Sequence, residues 1–574
     1  MRLVLLALLA FLLGSCASVD RQPEGDAFAD GRVRVAVHYQ DLEALARAGG
    51  VVLRALPELG VAEVEVEREA LPALERARGI VGVEPLGERV LYGDVAGEGA
   101  DEAWHLLAMG LAEAWALSRG CGVVVAVLDE WPDAGHPDLR ENVLPGYDAF
   151  TGREVEPGEL EGGPHGTHVA GLVAAHGRAQ GAAPCAQILP VRVFDEAGYV
   201  GDVGAAEALV WAVDHGAQVV NMSWGGAGYS TALALAVEYA LREGAVLVAA
   251  SGNEGAAVPA YPAAYPGVIA VGATTGSGEL AWFSSRGYFS SLAAPGDRIF
   301  STLPGGAYAY MSGTSMASPL VAGSAALLRA LHPEADGWQV LDAFWRAGVP
   351  VAGLEEVRAV RPAGALAADL PDPGGCVKVA ARSSDGDGVR LADVKLTATD
   401  GGRVYWTKTD GYGRVTLRNL EPGSYTVQVA GPEWPDLRAV ERVVASAEVT
   451  ADPRCPMVDL TLQSDLWFEL AWEAGDVDLA VREGNWAWAT PKEGARFGVF
   501  EGGDATDGGV ERYRFTGGLS EAEVGFGAVN HTGAPVEVEA RVHLNGAEWT
   551  LVTTLQAGEG VQELGQEAWV LSLP

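Results

Sequence analysis

Positive charge is scarce in this sequence: 39 Lys and Arg stand against 77 Asp and Glu, a formal net charge of -38. A surface that acidic repels nucleic acid phosphates, so no nucleic acid partner is expected. Beyond the first residues there is no apolar run long enough to span a bilayer as a helix. Cysteine is sparse as well. The five present contain no pair at CxxC spacing and no histidine at zinc-finger distance, and the helical pair His165 and His168 lacks the glutamate of an HExxH arrangement. A zinc site is therefore not expected. Internal repeats and low-complexity tracts are also missing.

What is there is an apolar fraction of 49% with 20% charged residues, the balance of an ordinary globular protein, spread over 574 residues. That length exceeds a single hydrophobic core and calls for several domains. Residues 1–15 form a short basic-then-apolar signal peptide. It ends in Leu13-Gly14-Ser15-Cys16, which resembles the bacterial lipoprotein cleavage box; Cys16 would then carry a lipid anchor. After a linker over 16–30, residues 31–92 alternate β-like runs (RVRVAVHY, VEVEVERE) with amphipathic helical ones (LEALARAG, LPALERARG), the order of a small α+β domain. A second linker is expected over 93–103, where GDVAGEGADE reads as exposed and flexible.

From 104 to 370, continuously apolar strands (VVVAVL, ILPVRVF, QVVNMS, AVLVAA, VIAVGA) alternate with longer helical patterns, which predicts a parallel sheet covered by helices on both faces. In such sheets the reactive groups gather at the carboxyl ends of strands and at the helix starts that follow. Beyond the PDPGG hinge the text turns all-β, with one sandwich expected over 374–462 and a further β-rich unit over 463–574.

Four strings fall at those strand ends and helix starts. VVVAVL runs into Asp129 and EWPDAGHPDL; PHGTHVAGLVAAHG opens a helix with His165; AASGNEG carries Asn253; SGTSMASPLVAGSAALL puts Ser315 at the head of a long apolar helix. Peptide hydrolysis needs a hydroxyl activated by a base, a group that orients the base, and donors for the oxyanion. An aspartate at a strand end is, alone, more often a turn or cap residue. Together, in the order Asp, His, Ser, the strings resemble the subtilisin-like serine protease family.

The resemblance implies a serine endopeptidase acting on protein or peptide substrates, with Asp129 orienting His165, His165 as general base and Ser315 as nucleophile. The oxyanion would be held by the Ser315 N–H and Asn253, each such donor being worth about 3 to 4 kcal/mol. Ser223, Trp224, Gly225, Ala250, Ser251 and Gly252 would line the substrate cleft, and whether Trp224 walls an apolar pocket or covers it stays open. VEPLGERVLY resembles the end of a subtilisin-type propeptide, so residues 31–92 would be a ferredoxin-like propeptide that serves as the enzyme's inhibitor, its C-terminus lying in the cleft and the bond after Tyr92 being the first one cut. The precursor would be held to a membrane through Cys16, and the soluble enzyme released extracytoplasmically would start between Gly93 and Trp104. The segment 374–462 resembles transthyretin-like or carboxypeptidase-regulatory-like sandwiches. The subtilisin template brings Cys121 to Cys185, and Cys376 would tie to Cys455 across the ends of that sandwich. His168 is expected to be a structural hydrogen-bonding residue, and Pro319 to sit in the first turn of the Ser315 helix.

Two departures stand out. The family follows its aspartate with a small hydroxyl residue and glycine, where this chain has Glu130 and Trp131. Trp131 is not expected to copy a glycine's close approach, and a carboxylate beside Asp129 is expected to perturb the site. The alternative reading is an inactive scaffold used for protein binding. The stretch AAHGRAQGAAP is also shorter and poorer in oxygen ligands than the family's calcium loop. No cofactor is expected to be required, a structural calcium ion is the weaker expectation, and Asp138 reads as a turn residue.

Overall fold

The computed structural model describes the chain from Arg32 onward, leaving out 97–100, a few single positions and, in the last third, stretches that include 383–391, 431–443, 484–497, 502–508 and 516–523. Cys16, the signal segment and the linker over 16–30 lie outside the described residues. The chain divides into two compact units, residues 1–86 and 87–574.

The first unit runs β1 (Arg32–Tyr39), α1 (Leu42–Arg47), β2 (Val51–Leu56), β3 (Val61–Glu67), α2 (Leu71–Arg76) and β4 (Ile80–Pro85). Its sheet has the order β2-β3-β1-β4 with every pair antiparallel. The alternation in RVRVAVHY turns Val33, Val35 and Val37 to one face, where they meet Leu45 of α1 and Leu74 of α2.

In the second unit the chain passes through two short strands, β5 (Val90–Leu91) and β6 (Asp94–Ala96), and the helices α3 (Trp104–Met109) and α4 (Leu111–Trp115) before entering the main sheet. That sheet is built from β7 (Val124–Asp129), β8 (Gly146–Asp148), β9 (Arg153–Val155), β10 (Gln187–Arg192), β13 (Val219–Met222), β15 (Val246–Ala250), β16 (Ile269–Thr274), β17 (Ser290–Pro295), β20 (Val349–Val351) and β21 (Leu354–Ala359). The numbers between belong to hairpin β11 (Phe194–Asp195) and β12 (Gly198–Tyr199), to β14 (Trp224–Gly225), and to β18 (Ile299–Leu303) with β19 (Ala307–Ser312).

The strand order is β20-β21-β17-β16-β15-β13-β7-β10-β8-β9. The interior is parallel, but β20 with β21 and β8 with β9 pair antiparallel, so the all-parallel sheet expected from sequence is instead a mixed one. The reason is local: both edge strands are three residues long and fold back through tight turns, leaving no room for a crossover helix.

The helices are α5 (Pro164–Ala174), α6 (Asp202–Asp214), α7 (Thr231–Arg242), α8 (Thr314–Leu331), α9 (Gly337–Ala347) and α10 (Pro362–Leu366). α5 and α8 share a core with Val125 and Val127 of β7 and Val246 and Val248 of β15. The alternate residues Ala126, Leu128, Leu247 and Ala249 point the other way and are equally buried, because α6 and α7 cover that face.

Beyond 370 the described residues are β-rich. Strands Gly375–Arg382, Asp393–Ala398, Val404–Lys408, Arg414–Leu420, Gly423–Ala430, Val444–Ala451 and Met457–Thr461 form a three-stranded and a four-stranded sheet around Val379, Leu396, Leu417 and Val427. Further strands follow up to Val570–Leu571. No helix among the described residues is long and apolar enough to cross a membrane.

Candidate active site

β7 ends at Asp129, fully buried, and α5 begins beside it, so a strand end and a helix start meet at one point. The His165 Nδ1–H donates to Asp129 Oδ1 at 2.8 Å, and the Glu130 N–H donates to the same oxygen at 2.8 Å. This fixes the ring with Nε2 toward the cleft, where a Cβ added to Gly93 would lie 3.1 Å from it.

Glu130 and Trp131 do something the sequence did not announce. Glu130 Oε2 accepts the backbone N–H of His165 at 2.8 Å and of Gly166 at 3.3 Å, while Gly163 at the N-cap offers no side chain. The glutamate thus caps the histidine helix from across the site. Burial, and then Asp129, raise the pKa of its carboxyl. Trp131 keeps a negative φ, is buried, and accepts the Gly163 N–H through its carbonyl at 2.8 Å. The expected conflict is absent because the glycines sit on the other side of the contact. A Cβ on Gly162, Gly163 or Gly166 would come within 2.5, 2.3 and 2.1 Å of Asp133 N, Glu130 Oε2 and Glu130 O.

The residues from Thr314 to Arg329 of α8 are all buried. Because the helix starts at Thr314, Pro319 falls in its second turn and not, as expected, in its first. A proline there cannot donate to the carbonyl four residues back, which is that of Ser315. Ser223 Oγ fills the gap, donating to Ser315 O at 2.9 Å, while Ser315 Oγ donates to Ser223 O at 2.6 Å. Asn221 Nδ2 donates to Ser223 Oγ and Ser318 Oγ to Asn221 Oδ1, so a buried network joins β13 to the helix at this point.

Asn253 follows β15. Its Oδ1 accepts from Thr314 N–H at 3.0 Å and from Thr314 Oγ1 at 2.9 Å, which turns its Nδ2 outward. Nδ2 donates at 2.8 Å to the carbonyl of Tyr92, and the Ser315 N–H donates to that same oxygen at 3.2 Å.

Tyr92 belongs to a segment that runs through the cleft. On one side β5 pairs antiparallel with β14, Leu91 opposite Trp224 and Val90 opposite Gly225. On the other, β6 pairs antiparallel with β19, Asp94 opposite Ser312. The expected flexible linker is therefore a paired strand over Asp94–Ala96, since β19 offers it a ladder. The Tyr92 N–H donates to Ser315 Oγ at 2.9 Å. A Cβ on Gly313 would lie 1.8 Å from Tyr92 O, so only glycine leaves space for that carbonyl.

The Tyr92 ring is buried against Ala250 and Ala260, over Gly225, where a Cβ would come within 2.9 Å of it. Burial pushes its phenol pKa up. Trp224 contributes backbone to this cleft and turns its side chain inward: Nε1 donates to Leu128 O at 2.8 Å and the ring packs on Phe194 and Tyr199. Ser251 and Gly252 direct their hydrogen bonds into the fold, Ser251 Oγ to Ser285 O and the Gly252 N–H to Thr314 Oγ1.

His168 is fully buried and its Nε2 lies 3.0 Å from Ile299 O, a carbonyl that can only accept. Asp138 faces donors within the fold: its Oδ2 accepts from Ala179 N–H and Tyr308 OH. Cys121 is bonded to Cys185 and Cys376 to Cys455, with Cα separations of 4.6 and 4.7 Å. Sequence reasoning passed over Gly313, Arg89 and Asp202. Gly313 adjoins a recognisable string; Arg89 and Asp202 meet across more than a hundred positions and leave no local signal.

A model described as the Subtilase family matches residues 120–350, and one described as a carboxypeptidase regulatory-like domain matches 377–456. Fervidolysin from Fervidobacterium pennivorans is 36% identical over 382 residues, 59% of this chain and 54% of that protein, so the match spans about half the relative's length. Thermitase from Thermoactinomyces vulgaris is 42% identical over 220 residues, 38% of this chain and 78% of that one. The crystal structure of fervidolysin, described as a keratinolytic enzyme related to subtilisin, aligns with a TM-score of 0.74 at 26% identity, covering 94% of this chain and 92% of that one.

Proposed function

The chain belongs to the subtilase family, and on that premise we propose that it is a serine endopeptidase, made as a precursor that first cuts its own Tyr92–Gly93 bond. The observation that carries this reading is the Tyr92 carbonyl, which receives hydrogen bonds from both Asn253 Nδ2 and the Ser315 N–H while Ser315 Oγ touches the same residue. Those two donors are where an oxyanion would form. In this reading the Ser315 hydroxyl turns from Ser223 O to His165 Nε2 and attacks the Tyr92 carbonyl carbon. His165 takes the proton, Asp129 stabilises the imidazolium through Nδ1–H, and the amine of Gly93 leaves with the proton His165 returns. Water, activated by the same histidine, then hydrolyses the ester, and no cofactor enters. The inactive-scaffold alternative is not favoured, since Glu130 and Trp131, the residues that raised it, support the histidine helix.

The unit β1-α1-β2-β3-α2-β4 is read as a ferredoxin-like propeptide, and the segment around Tyr92 as the inhibitor of the uncut form. Cys16 carries the lipid in this reading, so cleavage after Tyr92 separates the enzyme from its membrane tether. Expressed with its leader, the wild type should appear in the soluble extracytoplasmic fraction with an N-terminus between Gly93 and Trp104. Ser315→Ala should remain full-length in membranes and hydrolyse no casein. Casein hydrolysis by purified Ser315→Ala at a comparable rate would sink the assignment, and wild type still covalently joined to residues 17–92 would sink the release.

A further inference from the structure

Four residues ahead of the Tyr92–Gly93 bond, counting Tyr92 as the first, stands Arg89. Its side chain has no exposed surface, and that of Asp202, its partner, keeps 2%. Nε donates to Asp202 Oδ1 and Nη2 to Oδ2, both at 2.9 Å, in the planar two-point geometry that suits a guanidinium and a carboxylate. Nη1 donates to Gly228 O at 2.8 Å and Gly226 O at 3.2 Å. Burial works against the charge, and the Asp202 carboxylate more than offsets it, so the guanidinium pKa is held above its usual value.

The walls of this pocket belong to the body of the protein. Asp202 opens α6, and its Oδ1 also accepts the hydroxyl of Tyr199, whose ring packs on Phe194 and Trp224. Gly226 and Gly228 continue the chain from β14, the strand that pairs with β5. The same backbone ladder that aligns the bond for cutting therefore sets the distance to this pocket. When the cut segment leaves, the carboxylate and the two carbonyls stay behind as a buried acceptor set.

We propose that Asp202, with the carbonyls of Gly226 and Gly228, forms a subsite that selects arginine at the fourth position ahead of the bond cleaved in substrates as well as in the precursor. The inference rests on reading the cleft as a protease site. A neutral residue there leaves the buried carboxylate without its countercharge and both carbonyls without the guanidinium's donors, and a lysine, with one ammonium on a flexible stem, cannot reach both carboxylate oxygens and both carbonyls in one plane.

The test uses the full-length protein after it has processed itself, with acetyl-Arg-Val-Leu-Tyr-p-nitroanilide and the peptides carrying Lys or Leu in place of Arg. Casein hydrolysis is measured on the same sample. The arginine peptide should exceed the leucine peptide in kcat/KM by about 30-fold or more, the lower end of the loss when one partner of a buried charge pair is removed. The lysine peptide should fall between. Asp202→Asn should compress the Arg-to-Leu ratio to within about threefold; should it not fold, the Arg89→Gln, Asp202→Asn pair, amides on both sides, takes its place. Equal kcat/KM for the arginine and leucine peptides in an enzyme that digests casein overturns the subsite alone. Failure to cleave casein and every peptide overturns the protease reading, and the subsite with it.

Discussion

Two helices begin at the cleft, and they use their first N–H groups in opposite ways. Every helix start leaves donors that the helix itself does not satisfy. In α5 these are taken up within the fold: Glu130 Oε2 holds the N–H groups of His165 and Gly166. In α8 the Thr314 N–H is held inside by Asn253 Oδ1 and the Met316 N–H by the Gly313 carbonyl, while the Ser315 N–H between them meets the Tyr92 carbonyl. The first helix is closed off and so holds a ring in one orientation. The second is left open at one donor, and under the proposed function that donor receives the developing negative charge.

The comparison breaks most sharply at Gly313, the N-cap of α8. Its backbone is extended, with φ at 160°, so alanine is not strained there. The added methyl would nonetheless stand 1.8 Å from the position of Tyr92 O and push any substrate carbonyl off both donors. Losing one oxyanion donor typically costs 10² to 10³ in rate, so Gly313→Ala should lower casein hydrolysis at least about 10³-fold and leave the precursor uncut, with an unchanged circular dichroism spectrum. Activity within a few-fold of wild type would mean that the carbonyl does not sit where Tyr92 places it.

Much of this site was legible because its parts are short, contiguous strings whose glycines and small residues are bound to backbone geometry: PHGTHVAG and SGTSMASP mark the starts of α5 and α8. The apolar strands likewise announced the sheet interior. What escaped were contacts made across the fold. Glu130 read as an electrostatic disturbance beside Asp129, because its true partners, the N–H groups of His165 and Gly166, are 35 and 36 positions away. Arg89 and Asp202 are 113 positions apart, and nothing in either neighbourhood marks a pair. Pro319 was placed a turn too early because the repair of its missing hydrogen bond comes from Ser223, on another element. The antiparallel edges of the sheet depend on turns too short to carry a pattern.

The closed character of α5 continues inward, and acid should expose it. His168, one turn into the helix, is fully buried, and burial, then the neighbouring His165, lower its pKa to about 3; burial lowers that of His105 on α3 to about 4. The unfolded chain takes up a proton on each near pH 6.5, whereas the folded form stays neutral until near those lower values. Stability conferred by the neutral rings is therefore complete above pH 6.5 and is lost as the pH falls toward 4. At pH 5 each histidine should cost about 2 kcal/mol, a loss of about 1.4 kcal/mol per pH unit per group. Urea unfolding of uncut Ser315→Ala between pH 6.5 and 5 measures this slope, and His105→Leu should remove about half of it. A flat profile would show that these rings are protonated in the folded protein at no cost.

The smallest expected effect sharpens the contrast from the side of Glu130. What α5 needs from this residue is an oxygen to receive two N–H groups, and the negative charge beside buried Asp129 is a burden on it. Because burial and Asp129 raise the carboxyl pKa in the fold, the folded state favours the protonated form, and stability is lost as the pH climbs from the unfolded value toward the folded one. Glu130→Gln keeps an acceptor and removes the charge. It should stay within about 0.5 kcal/mol of wild type, comparing better at pH 7 than at pH 4, with casein hydrolysis nearly intact. Glu130→Ala removes the acceptor as well as the charge and should cost about 1 kcal/mol more than Glu130→Gln at either pH, with a several-fold drop in kcat and little change in KM, as befits a residue that positions His165 without touching substrate. The two variants are compared by urea unfolding and peptide hydrolysis in parallel. If Glu130→Gln were as damaging as Glu130→Ala at pH 7, the charge rather than the oxygen would be what closes the start of α5.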